Sequence, residues 1–107
     1  MESVTKNIIQ LEFDEDGFLL DTDNWNRTIA EQIADADGIG SLSDVHWTII
    51  QQLRNHYLEH GSMLPPSHIC HMVQLDPHCI TNLFQNMREA WRIAGLPNPG
   101  EEAKSYM

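Results

Sequence analysis

Glycine and proline cut this chain into pieces no longer than a single helix. Gly38 and Gly40, Gly61, Pro65-Pro66, Asp76-Pro77, Gly95, and Pro97 with Pro99 follow one another along 107 residues. Each is a stop or a turn signal. The pieces between them can bury apolar surface only by packing against one another. A chain of this length is expected to form one domain, 1–107, with a modest core. Apolar residues make up 41% of it, enough for a globular chain rather than a disordered one.

The pieces have distinct periods. Ile9, Leu11 and Phe13 alternate with Gln10 and Glu12, as in a half-buried strand. Asp14-Glu15-Asp16-Gly17 reads as a turn, and Phe18-Leu19-Leu20 as the return strand of a hairpin. Asp23 is placed to cap a helix running from Asn24 to about Asp35, with Trp25, Ile29 and Ile33 on one face. Ser43 caps the next, with Leu42 and Trp47 as a hydrophobic staple, Asp44 in the first turn and Gly61 as the stop. This helix, Asp44 to His60, is expected to be the longest. A short helix is predicted from Pro66 to about Val73. Asp76-Pro77 should start a fourth, on which Ile80, Leu83, Phe84, Met87 and Trp91 share a face up to Gly95. Beyond it the tail has no helical period and reads as an extended arm.

Charge narrows the partners. The formal net charge is −10, and residues 1–50 carry 11 acidic and 2 basic side chains against 5 and 4 in residues 51–107. No basic run exists to track phosphates, which argues against nucleic acid and favours protein partners. The acidity also serves solubility alone. There is no apolar run long enough to span a bilayer and no signal peptide at Met1–Asn7, so a cytoplasmic chain without membrane contact is expected. Cys70 and Cys79 are too few for a disulfide scaffold and are expected to be thiols.

Several pieces stand together in one order: Phe13-Asp14-Glu15-Asp16-Gly17-Phe18-Leu19, Asp23-x-Trp25, His46-Trp47 to Tyr57, Gly61-x-x-x-Pro65-Pro66, Leu83-Phe84, and Ile93-Ala94-Gly95-Leu96-Pro97-x-Pro99. In this the sequence resembles the DsrC/TusE family of sulfur-relay proteins over nearly its whole length. The resemblance implies a mostly helical α+β fold in three parts. These are an N-terminal β-hairpin (1–22), a helical body with a helix-turn-helix-like core (23–95) and a C-terminal arm (96–107). It implies partners among the proteins of sulfur metabolism, namely sulfurtransferases, sulfur-relay proteins or dissimilatory sulfite reductase. Family members carry sulfane sulfur on a cysteine near the end of the arm, because a mobile thiolate can enter one partner, accept sulfur and pass it on.

Here the chain departs from the pattern. The terminal cysteine position falls on Glu102, and the second arm cysteine of the DsrC branch falls on Trp91. Neither side chain forms a persulfide. The arm residues Ile93, Gly95, Leu96, Pro97 and Pro99 are retained and could still dock on a partner. The expected function is therefore a non-catalytic binding or regulatory protein with no cofactor and no metal.

Two alternatives stay open. Cys70 or Cys79 could carry sulfur, helped by His68, His71 or His78. Alternatively, a helix bearing His78, Asn82, Gln85, Asn86 and Arg88 could enter a DNA groove. Zinc on the Cys/His cluster fails on spacing, because His68 and His71 share a helical face that Cys70 does not. His56 and His60, at i and i+4, could chelate a metal but suit an exposed helix end. Asp14, Glu15 and Asp16 resemble a calcium loop only superficially. Trp91 is in register with the core face, and Tyr106 and Met107 could anchor the tail.

Overall fold

The computed structural model describes residues 12–105 and 107. Its described residues form six α-helices: α1 Arg27–Ala36, α2 Asp44–His60, α3 Pro66–Met72, α4 Cys79–Phe84, α5 Met87–Ile93 and α6 Glu101–Lys104. The first half of the expected hairpin, Ile8–Leu11, lies outside the described residues. Within them Phe13 and Leu19 form one antiparallel bridge around the Asp14–Gly17 turn. Asp14 closes that turn by accepting from the N–H groups of Asp16 and Phe18, both at 2.9 Å.

Local signals set most helix ends. The Ser43 hydroxyl accepts from the His46 N–H, and His46 Nδ1 accepts in return from the Ser43 N–H at 3.1 Å. Gly61 ends α2 at φ 69°, in the left-handed region that glycine enters without a Cβ penalty. Pro66 opens α3.

Two boundaries correct the sequence reading. Asp23 does not cap α1. A single 3-10 turn, Thr22–Asn24, is capped by Asp21, and Asn26 then caps α1 by accepting from the Ile29 N–H at 3.0 Å. This leaves Trp25 extended and free to cross the molecule. The expected fourth helix is two. Gln85 turns the backbone to φ 77°, and Asn86 caps α5 by accepting from the Glu89 N–H at 2.8 Å. The apolar spacing runs through the break, because both short helices face the same core.

Helix α5 sits at the centre, packed against α1, α2 and α4, with α3 between α2 and α4. Phe18, Ile49, Ile50, Leu53, Ile69, Phe84, Trp91 and Leu96 make the heart of the core, and all are essentially inaccessible to water. The staple residues Leu42 and Trp47 pack on its edge. His46 also reaches across from α2, where its Nε2 donates to the Leu83 carbonyl at 3.0 Å and its ring meets the Phe84 edge.

Candidate functional site

The arm begins where α5 ends, and its root is part of the core. Gly95 takes φ 70° and turns the chain back. Three carbonyls of the turned segment are each held by a side-chain donor from elsewhere. Trp25 Nε1 donates to the Ile93 carbonyl at 2.8 Å, Arg54 Nη1 to the Ala94 carbonyl at 2.8 Å, and Trp91 Nε1 to the Pro97 carbonyl at 2.6 Å. Arg54 also lies over the Trp25 ring, 4.2 Å from its centre, so cation–π attraction supports the same grip. Leu96 is fully buried. Ile93 and Gly95 are buried as well, and they do not present a surface to a partner here. Of the five arm residues singled out in the sequence, only Pro97 and Pro99 reach the surface, each half-buried.

Beyond Pro97 the tail does not run straight. Gly100 takes φ 102°, and Glu101–Lys104 form the single helical turn α6. This turn is fastened to the Asp14–Gly17 turn. The Asn98 side-chain amide donates to Asp14 at 3.0 Å and to Asp16 at 3.1 Å, and Lys104 Nζ meets Asp16 at 2.6 Å. The hydrogen bond from Lys104 holds the Asp16 carboxyl below the ordinary carboxylate range. Burial pushes Asp14 up, but bonds from the Phe18 N–H, the Asn98 amide and the Asp16 N–H outweigh it, and Asp14 too lies below its ordinary value. The acidic loop thus receives the chain's own arm. Tyr106 lies outside the described residues, and Met107 packs on the core edge.

A cleft of about 550 Å³ opens between this tail and the α2–α3 connection. Gly61, Ser62, Met63, Pro65 and Pro66 form one side of it, and Pro99, Glu102 and Ala103 form the other. Glu102 is exposed, a carboxylate on an otherwise largely apolar lip. Trp91 sits at the opposite end of the arm's logic. It is 1% exposed, with the Tyr57 ring edge-on at 5.7 Å.

Cys70 and Cys79 are not thiols. They form a disulfide between α3 and the first residue of α4, with Cα atoms 5.8 Å apart. The expectation of thiols rests on there being too few cysteines for a disulfide scaffold and on an assumed cytoplasmic setting, where bridges are rare. Nor does the sequence disclose the reversal of direction at Gln74, φ 61°, which brings the two together.

Neither sulfur is a free nucleophile. His68, His71 and His78 all lie at the surface around the pair, and no group of three or more metal-ligating side chains converges among the described residues. The His56 and His60 rings lie 4.5 Å apart, tilted by 38°, near the end of α2.

The proposed DNA-reading set is divided between two helices and the turn that joins them, and three of its five side chains are engaged within the molecule. Asn82 is on α4, and Asn86 is the α5 cap. Arg88 bonds the Asp16 carbonyl, and His78 bonds Asp76. No helix among the described residues is long and apolar enough to cross a membrane.

A third cluster went unnoticed in the sequence. Arg92 reaches from α5 to Asp37 at the end of α1, to Glu89 at 3.4 Å and to the Gly17 carbonyl at 2.7 Å. Burial raises the Glu89 carboxyl to about 7, reinforced by its hydrogen bond with Asp37 and repulsion from it, while Arg92 pulls the other way. The i, i+3 spacing of Glu89 and Arg92 was visible, but Asp37 is distant in the chain.

The fold agrees with that of known proteins. The model of the "DsrC like protein" family matches residues 5–101. A sulfurtransferase TusE homolog of Haemophilus influenzae is 31% identical over 89% of this chain and 94% of its own length. The gamma subunit of a dissimilatory-type sulfite reductase from Nitratidesulfovibrio vulgaris is 31% identical over 92% and 96%. The crystal structure of the oxidized gamma subunit of the dissimilatory sulfite reductase, DsrC, from Archaeoglobus fulgidus superposes with a TM-score of 0.73. It is 33% identical and covers 85% of this chain and 90% of that one. With a family model matching residues 5–101 and relatives 31% identical over 89% and 92% of its length, this chain belongs to the DsrC-like family.

Proposed function

We propose that this protein docks on sulfur-relay or sulfite-reductase partners without carrying sulfur on its arm, and so acts as a binding or regulatory member of its family. One observation carries the reading. Glu102 occupies the cleft lip at the position where the resemblance puts the carrier cysteine, and the only two cysteines of the chain are bonded to each other in the core. A carboxylate cannot accept sulfane sulfur, and a disulfide sulfur with 0% or 4% exposure cannot present a thiolate to a partner. Trp91, at the other arm position, is a core residue that holds the Pro97 carbonyl. The retained scaffold supports docking, and Pro97, Pro99 and Glu102 are among its exposed or half-exposed arm positions.

The test is persulfide loading followed by intact mass. Incubated with a persulfide-charged sulfurtransferase, the protein gains no sulfur, whereas Glu102→Cys gains it. Capture on the same sulfurtransferase or on dissimilatory sulfite reductase is expected for both. Sulfur on the unaltered chain, or failure of both proteins to engage either partner, would overturn the reading.

A further inference from the structure

We infer that Cys70 and Cys79 are a reversible dithiol–disulfide couple, and that its oxidation is what holds the α3–α4 hairpin in place. The two helices have seven and six residues, and neither has a side-chain cap at its start. Helices this short are not stable on their own. They pack on each other, and one covalent bond across nine residues of sequence joins them, between Cα atoms 5.8 Å apart, a spacing that suits a disulfide without moving the backbone. Ile69 and Ile80, beside the two cysteines, are both in the core, so loosening the hairpin uncovers apolar surface. The connection is the route for exchange. Gln74, Leu75, Asp76, Pro77 and His78 are all exposed, and opening this turn brings the sulfurs to solvent.

The oxidant is a low-molecular-weight disulfide such as oxidised glutathione. One cysteine thiolate attacks it, forming a mixed disulfide and releasing one glutathione thiolate. The second cysteine thiolate then displaces the other glutathione. Two electrons pass from the cysteine pair to glutathione, and the two thiol protons end on the two glutathione thiols. Reduction runs the same steps backwards.

The experiment brings the full chain to equilibrium in glutathione buffers of graded ratio, starting once from the dithiol and once from the disulfide. Samples are quenched in acid, unfolded, alkylated and weighed. The expected result is one all-or-none change between a doubly alkylated and an unalkylated chain, reached from both sides. Thermal unfolding at the two ends should differ by on the order of 10 °C, the oxidised form being the more stable. Cys70→Ala/Cys79→Ala should unfold at the reduced midpoint in every buffer. A chain that stays doubly alkylated in excess oxidised glutathione, that stops at a mixed disulfide, or whose two forms unfold together overturns the inference. A mixed disulfide or equal unfolding of the two forms leaves the proposed function standing, whereas a chain that stays doubly alkylated also removes the disulfide on which that reading draws; its persulfide-loading test then decides it independently.

Discussion

A methyl group added at position 95 has nowhere to go. A Cβ on Gly95 would lie 2.0 Å from Trp25 Cδ1, 2.3 Å from Cγ and 2.8 Å from Cβ, where carbon atoms in contact need about 3.5 Å or more. The backbone there is at φ 70°, which alone costs an alanine about 1 kcal/mol. The Trp25 ring must move, and its movement breaks the hydrogen bond to the Ile93 carbonyl and unstacks Arg54. Those losses are worth roughly 1 kcal/mol each, and residual crowding adds about 1–2 kcal/mol. Gly95→Ala is therefore expected to lower stability by about 4 kcal/mol, a large share of what a domain of this size has. Guanidinium unfolding followed by circular dichroism measures it. The same substitution in a Trp25→Ala background should cost less by at least about 1 kcal/mol, because the ring is gone. A Gly95→Ala protein within about 1 kcal/mol of the parent, or equal costs in both backgrounds, would refute the description of the arm root as a packed clasp.

Glu89 makes stability depend on pH. Its carboxyl is raised from 4.5 to about 7, so the stabilisation linked to its neutral form is complete below about 4.5 and is lost as pH rises through 7. Glu89→Gln should match the parent near pH 4 and exceed it at pH 8 by on the order of 1–2 kcal/mol, solvent and Arg92 screening part of the effect; urea unfolding at both pH values tests this, and equal parent-to-variant differences at the two would contradict it. Trp91→Phe keeps one aromatic ring but loses the bond to Pro97 and part of the indole's packing and should cost about 2–3 kcal/mol, against about 3–5 kcal/mol for Trp91→Cys, both read from urea midpoints. Lys104→Ala should release the tail from the Asp14–Gly17 turn and speed amide exchange at residues 104 and 105, whose N–H groups are bonded within the tail, as should raising salt on the parent. Unchanged exchange would mean that Asn98 alone suffices.

The helix boundaries that the sequence disclosed are those governed by neighbours a few residues away. Ser43 with Gly61, and Pro66, mark ends whatever the rest of the chain does, since a cap satisfies backbone groups within its own turn. Where the same local rules offered rival caps, the sequence misled. Asp23 yielded to Asn26, and an uninterrupted apolar face hid the break at Gln85, because periodicity reports which side is buried and not whether the backbone continues. The grip on Ile93, Ala94 and Pro97 by Trp25, Arg54 and Trp91, the Cys70–Cys79 bond, and the Arg92 cluster were decided only by tertiary structure. Each joins groups whose meeting depends on how whole helices pack, and a buried carbonyl or carboxylate takes whichever donor the packing delivers.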